Sequence, residues 1–191
     1  MKCPICDIDY SIEYLELLKC KKCNHIFNKN IYDEKYWNDL YENNYTSNER
    51  KLNHERNEMY VQEIRWINKF KKLQGNFLDV GCSYGNFFQL LPNSLKKVGL
   101  DISTEVIEQA RKINSKCTFF RVPLCEYDTT EKFDFIQFRG VIQHSTNSLD
   151  NLKCAVKLLE DDGIIIITTL PNFSSITSKL YKKQFRFYEP D

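Results

Sequence analysis

Glycine and proline are sparse in this chain, six and five in 191 residues, and there are no internal repeats or low-complexity tracts. What remains is an ordinary globular composition. Excess charge of either sign is also missing. Lysine and arginine total 27 against 26 acids, a net charge of +1, so no global basic field exists to draw the chain to nucleic acid or anionic lipid. Long apolar runs are absent too: the longest, 163–170, falls far short of the ~20 residues a spanning helix needs. The opening Met-Lys-Cys-Pro carries no secretory pattern. A cytoplasmic protein without a membrane partner is therefore expected, and its eight cysteines read as thiols or metal ligands before disulfides.

Cysteine pairs are what the sequence has in plenty. Cys3-Pro-Ile-Cys6 and Cys20-Lys-Lys-Cys23 are separated by thirteen residues. Each pair brackets a turn that points two thiolates the same way, and two such knuckles complete a tetrahedral zinc site. Four protein ligands leave the ion no open position, so this Zn2+ is read as structural. Lys19, Lys21 and Lys22 would offset the −2 charge of a four-thiolate zinc and read as a solvated face rather than an RNA contact. His25 is a spare ligand expected on the surface. Cys82, Cys117, Cys125 and Cys154 lack metal spacing and read as small apolar residues.

Aromatic residues are also abundant, at 14%. Between residues 31 and 46, Tyr32, Tyr36, Trp37, Leu40, Tyr41 and Tyr45 recur at helical spacing, as a lid or as a helix packed on the core. A longer helix is predicted over 49–73, with Tyr60, Ile64, Ile67 and Phe70 on one face and Gly75-Asn76 as its stop. Strand and helix patterns then alternate, the mark of a parallel sheet covered by helices. Strands are predicted at 77–80, 97–101, 117–122, 133–138 and 164–169, with helices over 86–91, 103–114 and 149–159. Ser103 can cap the middle helix, whose acids come early and bases late, as the helix dipole prefers. The isoleucines from 164 to 167 suit a strand buried on both faces.

The stretch Leu78-Asp-Val-Gly-Cys-Ser-Tyr-Gly-Asn86 runs a strand into a tight glycine turn and then a helix. Such a turn lets backbone approach a ligand closely, and the helix start offers N–H groups to an anion. The next strand ends in Asp101, twenty residues after Gly81, where a carboxylate can accept from both ribose hydroxyls of a nucleoside. A dinucleotide loop would need glycine at the first, third and sixth positions, here Gly81, Ser83 and Asn86, so only one of three is present.

Gly81-x-x-x-Gly85 preceded by Asp79 instead resembles the first motif of class I S-adenosylmethionine-dependent methyltransferases. That resemblance implies an α/β, Rossmann-like, mostly parallel sheet with flanking helices. It also implies S-adenosyl-L-methionine as cofactor, with Asp79 at the methionine amino group and Gly81, Cys82, Ser83 and Gly85 forming the turn. Asp101 maps to the ribose and Ile102 packs beside the adenine. Phe133-Asp134-Phe-Ile136, Gly140-Val-Ile-Gln-His144 and Thr169-Leu-Pro-Asn172 resemble later segments of the same group. Gln143 departs from the group's usual Glu. No Asp follows the third strand, which leaves adenine recognition to backbone near Leu124.

His144 follows the fourth strand at the sheet's carboxyl edge, and is read either as a general base for a hydroxyl acceptor or as a structural wall of the pocket. His54 is expected on a solvated face. Cysteine knuckles joined to this type of domain resemble enzymes of glycan and secondary-metabolite pathways, which implies a small-molecule or glycan-precursor substrate. An RNA-modifying enzyme and an inactive cofactor-binding protein are the alternatives. Three parts are expected: a zinc knuckle over 1–30, an aromatic linker over 31–74 and a methyltransferase domain over 75–191. The fold of the group continues past its fifth strand, so the chain reads as truncated. Oligomeric state is not written in these residues.

Overall fold

A computed structural model describes residues 1–9, 11–15, 17–30, 32–33, 35–36, 39 and 54–185. The described residues of Met1–Asp33 and Thr169–Asp191 form one compact unit, and those of Glu34–Thr168 form another. Most of the aromatic run (Trp37, Leu40, Tyr41 and Tyr45) and the side chain of His54 lie outside the described residues.

The smaller unit holds an antiparallel sheet of three short strands, β1 (Ser11–Tyr14), β2 (Leu17–Cys20) and β3 (Ile26–Phe27), in that order. Phe173 meets Tyr14 edge-on with ring centres 6.4 Å apart and Phe185 at 6.0 Å. In the same unit the short helix Ile176–Tyr181 starts at Ser175, whose Oγ accepts from the Ser178 N–H at 3.1 Å, a side-chain cap on an otherwise orphaned donor.

The larger unit is a parallel sheet of β4 (Gly75–Val80), β5 (Leu95–Asp101), β6 (Thr118–Arg121), β7 (Phe133–Arg139) and β8 (Leu159–Thr168). Their order is β6-β5-β4-β7-β8, and every pairing is parallel. The chain runs outward from β4 through β5 to β6, then returns to place β7 on the other side of β4. Strand order therefore reverses between β4 and β7, and the carboxyl ends of these strands flank the crevice where ligands bind in open sheets.

Alternation along the strands divides the core by sheet face. Phe77 and Phe135 pack with Tyr60 and Ile67 of α1 (His54–Ile67), with Ile107 and Ala110 of α2 (Thr104–Ile113), and with Phe87 and Phe88. Leu78, Val80, Ile136 and Phe138 face the other way onto Ala155 of α3 (Ser148–Leu158). Phe77, Phe88, Phe133, Phe135 and Phe138 are fully buried, each contributing about 1.5–3 kcal/mol of burial. At the opposite edge from the crevice, Asp134 accepts the Asn76 N–H at 2.8 Å and pairs with Lys71 at 3.2 Å. This agrees with a structural role for Asp134.

Four local expectations are corrected or refined. Residues 86–91 form a 3-10 turn over Asn86–Gln89 rather than an α-helix, because Phe87 and Phe88 both turn into the core and Lys97 Nζ takes the carbonyls of Phe88 and Leu91, at 2.9 and 2.8 Å. The helix predicted over 149–159 ends at Leu158, and Asp161 and Asp162 lie in the irregular start of β8. Ile164–Ile167 is covered on both faces only in part: Ile166 is buried on one face and Ile165 packs on the other, but Ile167 is 38% exposed. Phe70 lies past the end of α1, exposed and edge-on to Trp66 at 4.8 Å. No helix among the described residues is long and apolar enough to cross a membrane.

Candidate functional site

Gly81 stands at φ 72 with the side chain of Val141 so close that a Cβ would meet it at 2.3 Å, so no larger residue fits. Two residues on, Ser83 also adopts a left-handed φ of 51, the conformation that favours glycine at this position. Several N–H groups of the turn are spoken for. Those of Gly81 and Cys82 donate to the Leu100 carbonyl at 2.7 and 2.9 Å, and that of Gly85 donates to Cys82 at 3.0 Å. The turn is therefore a rigid loop clipped to the end of β5. It leads into the 3-10 turn Asn86–Gln89 rather than into an α-helix.

Asp101 ends β5. Its Oδ2 accepts the Ser83 N–H at 2.9 Å and its Oδ1 accepts the Ser103 N–H at 3.1 Å. Ser103 sits at the N-cap of α2 but makes no side-chain cap bond, so Asp101 braces the helix start that Ser103 was expected to cap. Burial raises the Asp101 pKa, while the N–H groups of Ser103, Ser83 and Ile102 pull it down. A carboxylate has about four lone-pair sites, so two structural bonds leave acceptor capacity for a ribose. Ile102 beside it is half-buried, and its carbonyl accepts from Arg121 Nε at 3.0 Å. Leu124 is buried in the 3-10 turn Leu124–Glu126 after β6, and Cys82 is buried beneath the glycine turn.

Asp79 lies at the carboxyl end of β4, 3% exposed. Burial pushes its pKa up to about 8; the Arg139 guanidinium lowers it, and Glu63 and Asp101 raise it further. One carboxyl oxygen, Oδ1, has no hydrogen-bond partner, and the same holds for Gln137 Oε1 and Arg139 Nη2. Leaving such groups unpaired costs about 1–3 kcal/mol each. Sequence reasoning missed Glu63, Gln137 and Arg139. The signal was present in β7, where the alternate positions Phe133, Phe135, Gln137 and Arg139 turn from aromatic to polar.

His144 ends the 3-10 turn Ile142–His144 that follows β7, half-buried, with its N–H donating to the Val141 carbonyl at 2.9 Å; Gln143 beside it is exposed. Gly81 packs under Val141. The histidine is thus held at the same sheet edge as the glycine turn.

In the smaller unit the four cysteine Sγ atoms lie within 4.8 Å of one another. Cys3 and Cys23 are 3.5 Å apart at sulfur, and Cys6 and Cys20 are 3.6 Å apart. A tetrahedral zinc with Zn–S bonds of about 2.3 Å places its sulfurs about 3.8 Å apart, so the donor set fits. The two knuckles repeat one backbone design. Asp7 N–H donates to Cys3 and Asn24 N–H to Cys20, both at 2.9 Å, while Cys3 and Cys20 donate to Ile8 and His25. Asp7 and Asn24 stand at φ 56 and 61, a left-handed position that Asp and Asn tolerate best after glycine. The N–H groups of Cys23 and Lys22 pull the Cys20 thiol down to about 6 against the effect of burial. Cys23 is drawn down by the His25 N–H, but burial and the neighbouring thiols push it up to about 12. His25 is outside the cluster, stacked on Phe27 at 5.8 Å, and Lys19 Nζ lies 5.8 Å from the Tyr14 ring centre.

Cys125 and Cys154 correct another expectation. They form a disulfide with Cα atoms 5.4 Å apart, tying the Leu124–Glu126 turn to α3. The pairing joins two elements distant in sequence, so spacing could not reveal it. Cys82 and Cys117 are free thiols.

A parallel sheet whose order reverses beside a glycine turn, with a strand-end acid behind that turn, defines a Rossmann-like nucleoside-binding domain. A methyltransferase domain model matches residues 52–189, and the chain belongs to that family, with the fold of the class I S-adenosylmethionine-dependent methyltransferases. Among curated proteins, (S)-coclaurine N-methyltransferase of Papaver somniferum is 32% identical over 98 residues, covering 47% of this chain and 28% of that protein. The plantazolicin methyltransferase BpumL, solved with S-adenosylhomocysteine and a desmethylplantazolicin analogue, superposes with a TM-score of 0.56 at 24% identity, over 74% of this chain and 56% of that one. The N-methyltransferase NodS of Bradyrhizobium japonicum, also solved with S-adenosylhomocysteine, gives 0.55 at 21%, over 61% and 63%. The chain thus spans less than two thirds of the length of these relatives.

Proposed function

We propose that this chain transfers a methyl group from S-adenosylmethionine to a small-molecule or glycan-precursor acceptor, at oxygen. The observation that carries the reading is the pairing of Asp101 with the glycine turn at the reversal of strand order. In this reading the spare lone pairs of Asp101 take the ribose hydroxyls, Ile102 and the backbone near Leu124 flank the adenine, and Asp79 with the turn 81–85 receives the amino-acid end. The cofactor supplies the activated methyl, and the protein holds the acceptor in line with it, which can account for ~7–11 kcal/mol of the barrier. His144 takes the acceptor's proton as it attacks. The four cysteines hold a structural zinc in a knuckle over 1–30. Clustered thiols fit a cytoplasmic setting, in which the exposed Cys125 would keep its disulfide open to reduction.

A nitrogen acceptor is the second reading, favoured by the relatives named as N-methyltransferases. A neutral amine attacks through its own lone pair and needs no base beforehand. One substitution separates the two. His144→Ala should cut turnover on a hydroxyl acceptor by roughly 10²–10⁴ and leave S-adenosylhomocysteine affinity near wild type. Unchanged turnover favours nitrogen, and weakened cofactor binding with proportionate residual turnover makes His144 a pocket wall. Calorimetry with S-adenosylhomocysteine on wild type tests the cofactor itself, and absence of binding would overturn it; an Asp101→Ala protein that binds as tightly as wild type would remove Asp101 from the ribose contact.

A further inference from the structure

The sheet face under α1 changes character along its length. It is apolar at Phe77, Phe135 and Ile166, then polar at the carboxyl ends of three adjacent strands, with Asp79 on β4, Gln137 and Arg139 on β7, and Thr168 on β8. Glu63 reaches this edge from α1. Its Oε1 accepts from Gln137 Nε2 at 2.8 Å and Thr168 Oγ1 at 2.5 Å, and its Oε2 accepts from Arg139 Nε at 2.9 Å. The Arg139 guanidinium also lies over the Tyr60 ring, 4.2 Å from its centre. One helix thus fixes the guanidinium by a carboxylate on one edge and an aromatic face below it.

So much fixing would serve little if the guanidinium had nothing to bind. Its Nη2 is buried and without a hydrogen-bond partner, as is Asp79 Oδ1. Asp79 pairs in register with Gln137, and Arg139 lies two residues further along the same face. That puts the Cα positions of Asp79 and Arg139 about 5 Å apart across the strands and about 7 Å along them. Side chains of these lengths close that gap around one small group. A ligand complementary to both carries an anion and a cation a few ångströms apart. An α-amino acid group is such a ligand.

We propose that Arg139 binds the carboxylate of the cofactor's methionine portion while Asp79 takes its ammonium, with Glu63 as the positioning residue that aims the guanidinium. The proposal rests on the cofactor reading above and adds to it a second charged contact and a role for α1. It makes α1 part of the cofactor site, since without Glu63 and Tyr60 the guanidinium is free to swing. It also gives the site a preference: ligands keep full affinity only when both charged groups of the amino acid are present.

The test is calorimetry on the full chain with three ligands: S-adenosylhomocysteine, its decarboxylated analogue, and 5′-methylthioadenosine, which keeps the nucleoside and sulfur but has no amino-acid group. Wild type should bind S-adenosylhomocysteine at least tenfold more tightly than the decarboxylated analogue, a comparison that needs no variant to fold. Arg139→Met should weaken S-adenosylhomocysteine about 10- to 100-fold, the loss expected for one charge-assisted hydrogen bond, and leave 5′-methylthioadenosine within twofold. Glu63→Gln should weaken S-adenosylhomocysteine in part and the decarboxylated analogue not at all, which a general loosening of the fold would not produce. Equal wild-type affinity for the first two ligands overturns the proposal. So does an Arg139→Met protein that binds S-adenosylhomocysteine normally or loses both nucleosides alike. Failure of wild type to bind any of the three would instead overturn the cofactor reading, and the proposal with it.

Discussion

The carboxylate of Asp101 accepts the backbone N–H of Ser83 at 2.9 Å, so the strand-end acid and the glycine turn form one rigid unit. The bond is made by backbone, yet Ser83 holds it at φ 51. A left-handed residue with a Cβ costs about 1–2 kcal/mol, against about 0.5–1 kcal/mol for the extra unfolded-state freedom of glycine. Ser83→Gly should therefore raise stability by about 0.5–1 kcal/mol and the melting temperature by a few degrees. Chemical denaturation and thermal melts would check it, with cofactor affinity unchanged. A lower melting temperature would mean that the hydroxyl contributes more than the strain costs.

Asp79 sets a pH dependence whose sign follows from its environment. Its pKa is raised by burial to about 8, with Arg139, Glu63 and Asp101 as the charges acting on it. Below the usual carboxylate range the group is protonated in both folded and unfolded chains and has no effect. As pH rises from about 4 toward 8, the unfolded chain releases the proton and the folded one retains it, so stability falls. Above about 8 both are ionised and the loss stops growing. Asp79→Asn should remove this slope, becoming progressively more stable than wild type between pH 5 and 8 with a constant gap above that. Denaturation at four pH values measures it; a gap that does not change with pH would show Asp79 already ionised in the free protein. On binding an ammonium the carboxyl should ionise, so calorimetry at pH 7 in buffers of different ionisation enthalpy should show a proton released.

The glycine turn and the alternating strands were legible in the sequence because each is local. A strand that must enter a sheet shows its period within a few residues, and a turn that admits no Cβ shows glycine. Asp101 was legible for the same reason, by its distance from Gly81. What escaped was set by tertiary neighbours. Asn86–Gln89 coils as a 3-10 turn because two adjacent phenylalanines must both enter the core, which no helical period predicts. Glu63 and Arg139 are 76 residues apart, and neither carries a local signature of the other. Cys125 and Cys154 meet only because the turn after β6 lies beside α3.

The zinc knuckle gives a metal-dependence. Four thiols with sulfurs at 3.5 and 3.6 Å in two pairs must lose protons to bind a cation, so affinity should rise with pH over the neutral range. Elemental analysis of the purified chain should find one zinc, and Cys20→Ser should abolish stoichiometric zinc. Chelation should lower the melting of the small unit, whose three short strands bury little apolar surface of their own. Full zinc retention by Cys20→Ser would remove Cys20 from the ligand set.

The disulfide between Cys125 and Cys154 closes a 29-residue separation. By loop entropy alone such a crosslink stabilises by about 3–4 kcal/mol. Cys125 is exposed, so mild reductant can reach it without unfolding the core. A denatured, metal-free, unreduced chain should show six free thiols of the eight cysteines, and mild reduction should expose two more. Cys154→Ser should then lower the unfolding free energy by up to that amount under oxidising conditions and by little under reducing ones. Because the bridge anchors the turn carrying Leu124, the same variant should weaken 5′-methylthioadenosine binding if that turn forms the adenine wall. Eight free thiols in the unreduced chain would show that the bridge does not form in solution, and identical melts with and without reductant would show that it contributes nothing to stability.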